Sequence, residues 1–264
     1  MTSVVDLQEM AFDAPDELCS SLGADDWAKS TDCPGWSVQD NLAHIIGTES
    51  MLLGRPAPEH DPGEKPWIRN PIGANNEVQV DFRRSRTAAE VLDEFREVSG
   101  ERLKILRSMS DADLDAESWT PIGQGTVRDL VAIRVMDCWV HSQDIRRAVG
   151  KPGDLTGPIA EHAFGRHAQA MGFVVGKKVA PPDGTTVVFD VADFGTIPIR
   201  VEGKRANRLE AAPVDPDVTL SMSLETFNCL CCGRGDAAAL ASAVEIHGDT
   251  DLGRRVLEQM NFMI

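Results

Sequence analysis

Thr126-Val127-Arg128-Asp129-Leu130-Val131-Ala132-Ile133-Arg134-Val135-Met136-Asp137-Cys138-Trp139-Val140-His141-Ser142-Gln143-Asp144-Ile145-Arg146-Arg147-Ala148-Val149 reads as one long helix. Thr126 starts it and Lys151-Pro152-Gly153 ends it. Asp137 and His141 stand four residues apart, so they share a helix face. Their neighbours Leu130, Ile133, Val135, Trp139, Val140 and Ile145 are apolar. An ionised Asp in such surroundings costs several kcal/mol unless a partner or a bound cation compensates it.

Working outward, an earlier helix from about Ser37 to Leu53 carries His44, with Ser37 as its N-cap and Asp40 in its first turn. If the two helices are neighbours, two imidazoles and a carboxylate converge. That donor set suits a divalent metal with an open coordination position. The plainer alternatives are an ordinary helix histidine at 44 and a surface i,i+4 pair at 137 and 141. Asp144 is placed to accept the free ring N–H of His141, or to pair with Arg147 or Arg128. Arg134, three residues before Asp137, is its nearest competing cation. His60, His162, His167 and His247 have no partner at metal spacing.

Apolar rhythm predicts a first helix across Val4 to Leu22, and the capping box Thr87-Ala88-Ala89-Glu90 opens a third to about Ser108. Residues 54–80 are rich in Pro, Gly and Asn and read as a long loop, and Trp119 to Gly125 reads as a second. Four long helices predict a four-helix bundle. A fifth helix, about 156–175, leads into a change of composition. Strands are expected over 185–191, 197–201, 208–211, 218–223 and 244–247, with helices at 224–232, 236–241 and 251–262. The expected class is α+β: an all-α bundle over 1–153, then a linker helix and a smaller α+β domain over 154–264.

The formal net charge is −16 over 264 residues. Such a surface repels phosphate backbones and anionic headgroups, which argues against nucleic acid and membrane surfaces as partners. No basic-then-apolar leader opens the sequence and no segment reaches the ~20 apolar residues of a membrane span. A cytoplasmic protein is therefore expected, with its six cysteines reduced. Tyrosine is absent, so no tyrosine serves as acid, base or nucleophile.

The string Thr31-Asp32-Cys33-Pro34-Gly35-Trp36-Ser37-Val38-Gln39-Asp40-Asn41-Leu42-Ala43-His44 resembles the N-terminal signature of the mycothiol-dependent maleylpyruvate isomerase family, one branch of the DinB-like metal-binding bundles. Asp137 to Arg147 resembles that family's second metal-ligand segment. Val218 to Gly248, including Leu230-Cys231-Cys232-Gly233-Arg234, resembles its C-terminal domain, which is related to sterol carrier folds. The resemblance implies a metal, usually zinc, on His44, Asp137 and His141, with mycothiol as cosubstrate. The family's founding isomerase has Glu where Asp137 stands, so here the ligand helix must approach closer by one methylene. Arg234 is the implied clamp for a substrate carboxylate; otherwise it is a surface arginine after a C-cap glycine. Trp36 is expected to act as a hydrophobic staple before the Ser37 cap. The implied activity is a mycothiol-dependent isomerase or S-transferase acting on a small electrophile. The competing functions are apolar-ligand binding by the C-terminal domain and hydrolysis by metal-bound water.

Overall fold

The computed structural model describes residues 2–263. The chain divides into two compact units at 160/161.

The first unit contains α1 (Val4–Ser20), α2 (Val38–Leu52), α3 (Pro71–Arg83), α4 (Ala88–Ser108), the short α5 (Asp111–Leu114), β1 (Glu117–Thr120), β2 (Gly123–Thr126) and α6 (Val127–Val149). Five of its helices start on a capping box. The hydroxyls of Ser3, Ser37, Thr87, Ser110 and Thr126 accept from the N3 amide, and an Asp or Glu at N3 reaches back. Each cap contributes ~1 kcal/mol and fixes where its helix begins. The long helices α1, α2, α4 and α6 form the bundle: α1 packs on α6 and α4, and α2 on α4, α3 and α6. Leu42, Ile45, Ile46, Val91, Phe95, Val135, Trp139 and Ile145 are buried in its core. Phe12 meets Phe95 edge to face, with ring centroids 6.1 Å apart.

Residues 71–83 form α3 rather than the end of a loop. Asn70 caps it by accepting from the Gly73 amide at 2.8 Å, and Pro71 occupies the first turn, where proline lacks only an N–H that would be orphaned anyway. The hydropathy pattern hides this helix because its buried side chains are largely polar: Glu77, Gln79 and Arg83 beside Val80. The stretch read as a Trp119–Gly125 loop is instead mostly the hairpin β1–β2, so the bundle unit is not purely helical. No helix among the described residues is long and apolar enough to cross a membrane.

The second unit begins within α7 (Pro158–Phe173), which runs on into a π-helical turn at Val174–Val179. Then come β3 (Thr186–Val191), β4 (Gly195–Glu202), β5 (Arg205–Arg208), β6 (Val218–Met222), α8 (Leu224–Cys232), α9 (Ala237–Ser242), β7 (Glu245–Gly248) and α10 (Thr250–Gln259). The strand order is β5-β4-β3-β6-β7, with β3 and β6 parallel and the other pairs antiparallel. Strand β5 lies earlier than the expected 208–211. The register pairs Glu202 with Arg205 across a two-residue turn, and Gly203 adopts φ +62° there. Phe189, Ile197, Ile199, Leu220, Phe227 and Val256 are buried in this unit's core.

Candidate metal centre

His44 on α2 and Asp137 and His141 on α6 converge within the first unit. Their donor atoms all lie within 4.8 Å of one another. His44 Nε2 is 3.1 Å from Asp137 Oδ2, and His141 Nε2 is 3.7 Å from Asp137 Oδ1. The donors of a tetrahedral zinc with ~2.0–2.1 Å bonds stand about 3.3 Å apart, so this set fits a divalent cation after small side-chain adjustments. Among the described residues His44 Nδ1 is buried without a hydrogen-bond partner, and Nε2 faces the donor group.

The hydrogen bonds around His141 set its tautomer. Asn41 Nδ2 donates to the Ser37 carbonyl at 2.9 Å and to Thr31 Oγ1 at 3.0 Å. A carbonyl only accepts, so the amide nitrogen is fixed on that side and Oδ1 faces His141 Nδ1 at 2.7 Å. Nδ1 therefore carries the proton and Nε2 presents its lone pair toward the donor group. Asp144 Oδ2 stands farther from Nδ1, at 3.4 Å, and its Oδ1 accepts from Arg147 at 2.5 Å. Asn41 thus holds the position nearer the ring, and Asp144 takes the other role open to it, the pair with Arg147. Cys33, His141 and Asp144 form a second convergent group that shares the His141 ring.

Arg134 Nη1 donates to Asp137 Oδ2 at 2.5 Å, and Arg134 Nε donates to Glu49 Oε1 at 2.7 Å. Glu49 also pairs with Arg102 at 3.3 Å. Burial alone would raise the pKa of Asp137, but Arg134 and the two histidines overcome it and hold it well below the usual carboxylate range. The burial of Asp137 is therefore already compensated by Arg134, and it does not by itself call for a metal. The convergence of three donors is what sets this group apart. Burial pushes His44 down to about 4 despite the pull of Asp137 in the other direction, so its ring is neutral and able to ligate at neutral pH.

Trp36 does not staple the helix start. The N4 position facing it is the polar Asn41, and the indole instead packs on both histidines, with ring centroids 5.1 Å from His44 and 5.7 Å from His141. Arg234 belongs to the second unit, just after the left-handed C-cap Gly233 of α8, and its Nη1 donates to the Cys232 carbonyl at 3.0 Å. His60 pairs with Asp81 at 2.7 Å, outside the donor group. All six cysteines are buried thiols. Burial pushes the thiols of Cys19 and Cys138 up to about 12, and that of Cys231 well above its ordinary value, so these three are poor sources of thiolate.

A helical bundle with a two-histidine, one-carboxylate donor group, followed by an α+β unit, defines a two-part protein with a candidate metal centre in its first part. The family model of the mycothiol maleylpyruvate isomerase N-terminal domain matches residues 9–146, and that of the MDMPI C-terminal domain matches residues 161–255. The chain belongs to this family. The crystal structure of the mycothiol-dependent maleylpyruvate isomerase superposes with a TM-score of 0.58 at 17% identity, over 93% of this chain and 95% of that one. A mutant of that isomerase gives 0.57 at 18% over the same shares. At such identities the likeness speaks for the fold. Two uncharacterized proteins from two strains of Mycobacterium tuberculosis are each 26% identical over 149 residues, 56% of this chain and 56% of theirs. The chain thus spans little more than half the length of those curated relatives.

Proposed function

We propose that the chain is a mycothiol-dependent enzyme of the maleylpyruvate isomerase type, with a divalent cation, zinc by its donor set, held on His44, Asp137 and His141. The observation that carries this reading is the convergence of those donors from α2 and α6. A bound cation would supply Lewis acidity and lower the pKa of a coordinated thiol. The protein's own part is to hold the donors ready. Arg134 keeps Asp137 ionised, Asn41 keeps the His141 Nε2 lone pair free, and Trp36 walls off one side of both rings.

The charge balance favours anionic ligands. Glu49 and Asp137 carry two negative charges and Arg102 and Arg134 two positive ones, so the buried quartet is neutral. An added dication is then in excess by two charges. A thiolate and a substrate carboxylate together would offset it, whereas a neutral thiol or a water would not. Arg234, taken from the family resemblance, is proposed as the residue that steadies the substrate anion.

The test is isothermal titration of mycothiol into the zinc-loaded and the chelated protein, followed by maleylpyruvate turnover with and without mycothiol. The proposal expects binding with proton release only when zinc is present, and turnover only with the thiol. Thiol-independent hydrolysis would instead mark a metal hydrolase, and zinc-independent mycothiol binding would remove the metal from the reaction.

A further inference from the structure

We propose that Glu77, on α3, is a positioning residue of the candidate metal centre and acts through the indole of Trp36. This rests on the reading of His44, Asp137 and His141 as ligands, but its test has an arm that does not need a metal.

Glu77 is almost fully buried, at 1% exposure, and ligates nothing in the donor group. Its Oε2 accepts from two indoles at once, Trp36 Nε1 and Trp67 Nε1, each at 2.9 Å. Its Oε1 accepts from Arg84 Nη1 at 2.7 Å. Arg84 is bound in turn by Asp40, the N3 residue of α2, at 3.1 Å. A buried carboxylate needs such donors, and charged acceptors form the shorter and stronger hydrogen bonds.

The consequence lies on the other side of Trp36. That indole faces His44 and His141 with interplanar tilts of 37° and 35°, and the two imidazole centroids are 4.6 Å apart. One flat ring therefore backs both candidate ligand rings. Packing against Cys33 and Val80 places the indole, and the Glu77 bond fixes its edge and hence its tilt. Trp67 secures the same carboxylate from the segment before α3 and lies flat on Gly35. That glycine has φ +75°, and a Cβ there would come within 2.4 Å of the Trp67 ring. Glu77 thereby joins the signature loop, the segment carrying Trp67, and α3 at one point behind the histidines.

The experiment compares wild type with Glu77→Leu, Glu77→Gln and Trp36→Phe. Two readouts are taken: Co(II) affinity with its visible absorption, and the ring NMR signals of His44 and His141 in the metal-free protein. Far-UV circular dichroism and the His167 ring signal serve as controls for the fold. Glu77→Leu is expected to weaken Co(II) binding by roughly 10- to 100-fold, as losses of ligand-orienting groups do, and to shift both ligand-ring signals while the His167 signal holds. Glu77→Gln keeps an oxygen for the indoles and should restore most of both. Trp36→Phe keeps an aromatic wall but loses the N–H, and should shift the ring signals in the same sense. If Glu77→Leu does not fold, Trp36→Phe decides. Wild-type Co(II) affinity and unmoved ring signals in Glu77→Leu, or in Trp36→Phe where that variant decides, would overturn the proposal. Absence of Co(II) binding in wild type would defeat the metal reading alone, and the ring signals of the metal-free variants would still decide the positioning role.

Discussion

Two histidines, His44 in the first unit and His167 in the second, are both buried and both pushed by that burial to about 4. Their surroundings differ. His44 faces an ionised carboxylate and a second imidazole, next to a neutral quartet of buried charges. His167 faces the amide of Asn228 at 3.0 Å and the rings of Phe227 and Phe262. Among the described residues its Nδ1 and the Asn228 Nδ2 are both buried without a hydrogen-bond partner. A buried, neutral histidine is thus no sign of a site in itself. Additional donors aimed at the same point make the difference, and only the first unit's histidine has them.

The sharpest way to break this comparison is Asp137→Ala. It removes a donor and also leaves Arg134 with one counter-charge fewer. Cation affinity should fall by more than about 100-fold, beyond what loss of an orienting group costs. Folding stability should fall by about 3 kcal/mol, the scale for breaking a buried ion pair. Chelator competition and urea unfolding check the two parts. His167→Leu should leave cation affinity unchanged.

Acid stability comes next. A histidine whose folded pKa lies below its ordinary 6.5 favours the folded state fully above pH 6.5, and that contribution is lost as pH falls toward about 4. For His167 the interval of 2.5 units corresponds to about 3 kcal/mol. The double variant His167→Leu/Asn228→Leu should therefore lose less stability between pH 7 and pH 4 than wild type, by about that amount, in urea titrations of the metal-free protein. The slope that remains includes the contribution of His44.

Asn41→Ala should have a smaller effect. It leaves the donors in place and removes the acceptor that fixes the His141 tautomer. A roughly 10- to 100-fold loss of cation affinity is expected, together with a changed Nδ1/Nε2 proton distribution in the ring NMR spectrum of His141.

The legible parts of this site were local ones. The Ser37–Asp40 and Thr126–Asp129 capping boxes mark both ligand helices within a residue, and the i,i+4 spacing places Asp137 beside His141. What escaped the reading was long-range or polar-faced. Nothing near position 141 announces Asn41, because the bond joins residues 100 apart in sequence. Glu49 reaches Arg134 across 85 residues. Helix α3 reads as loop because Pro71, Gly73, Asn75 and Asn76 outweigh its few apolar residues, although Asn70-Pro71 is an N-cap signal. Its polar buried face is the part that reaches the candidate centre, through Glu77. In the hairpin, Gly123-Gln124-Gly125 carries no apolar alternation, so pairing across the β1–β2 turn was invisible.

The most direct measurement is metal content by elemental analysis, with the visible spectrum of the Co(II) form, for wild type beside His44→Ala. Wild type should hold one equivalent of a divalent cation with the intense absorption of a four-coordinate Co(II) site, and His44→Ala should lose both. Equal stoichiometry and an unchanged spectrum in the variant, or no bound cation in wild type, would contradict the claim that these three side chains form a metal centre.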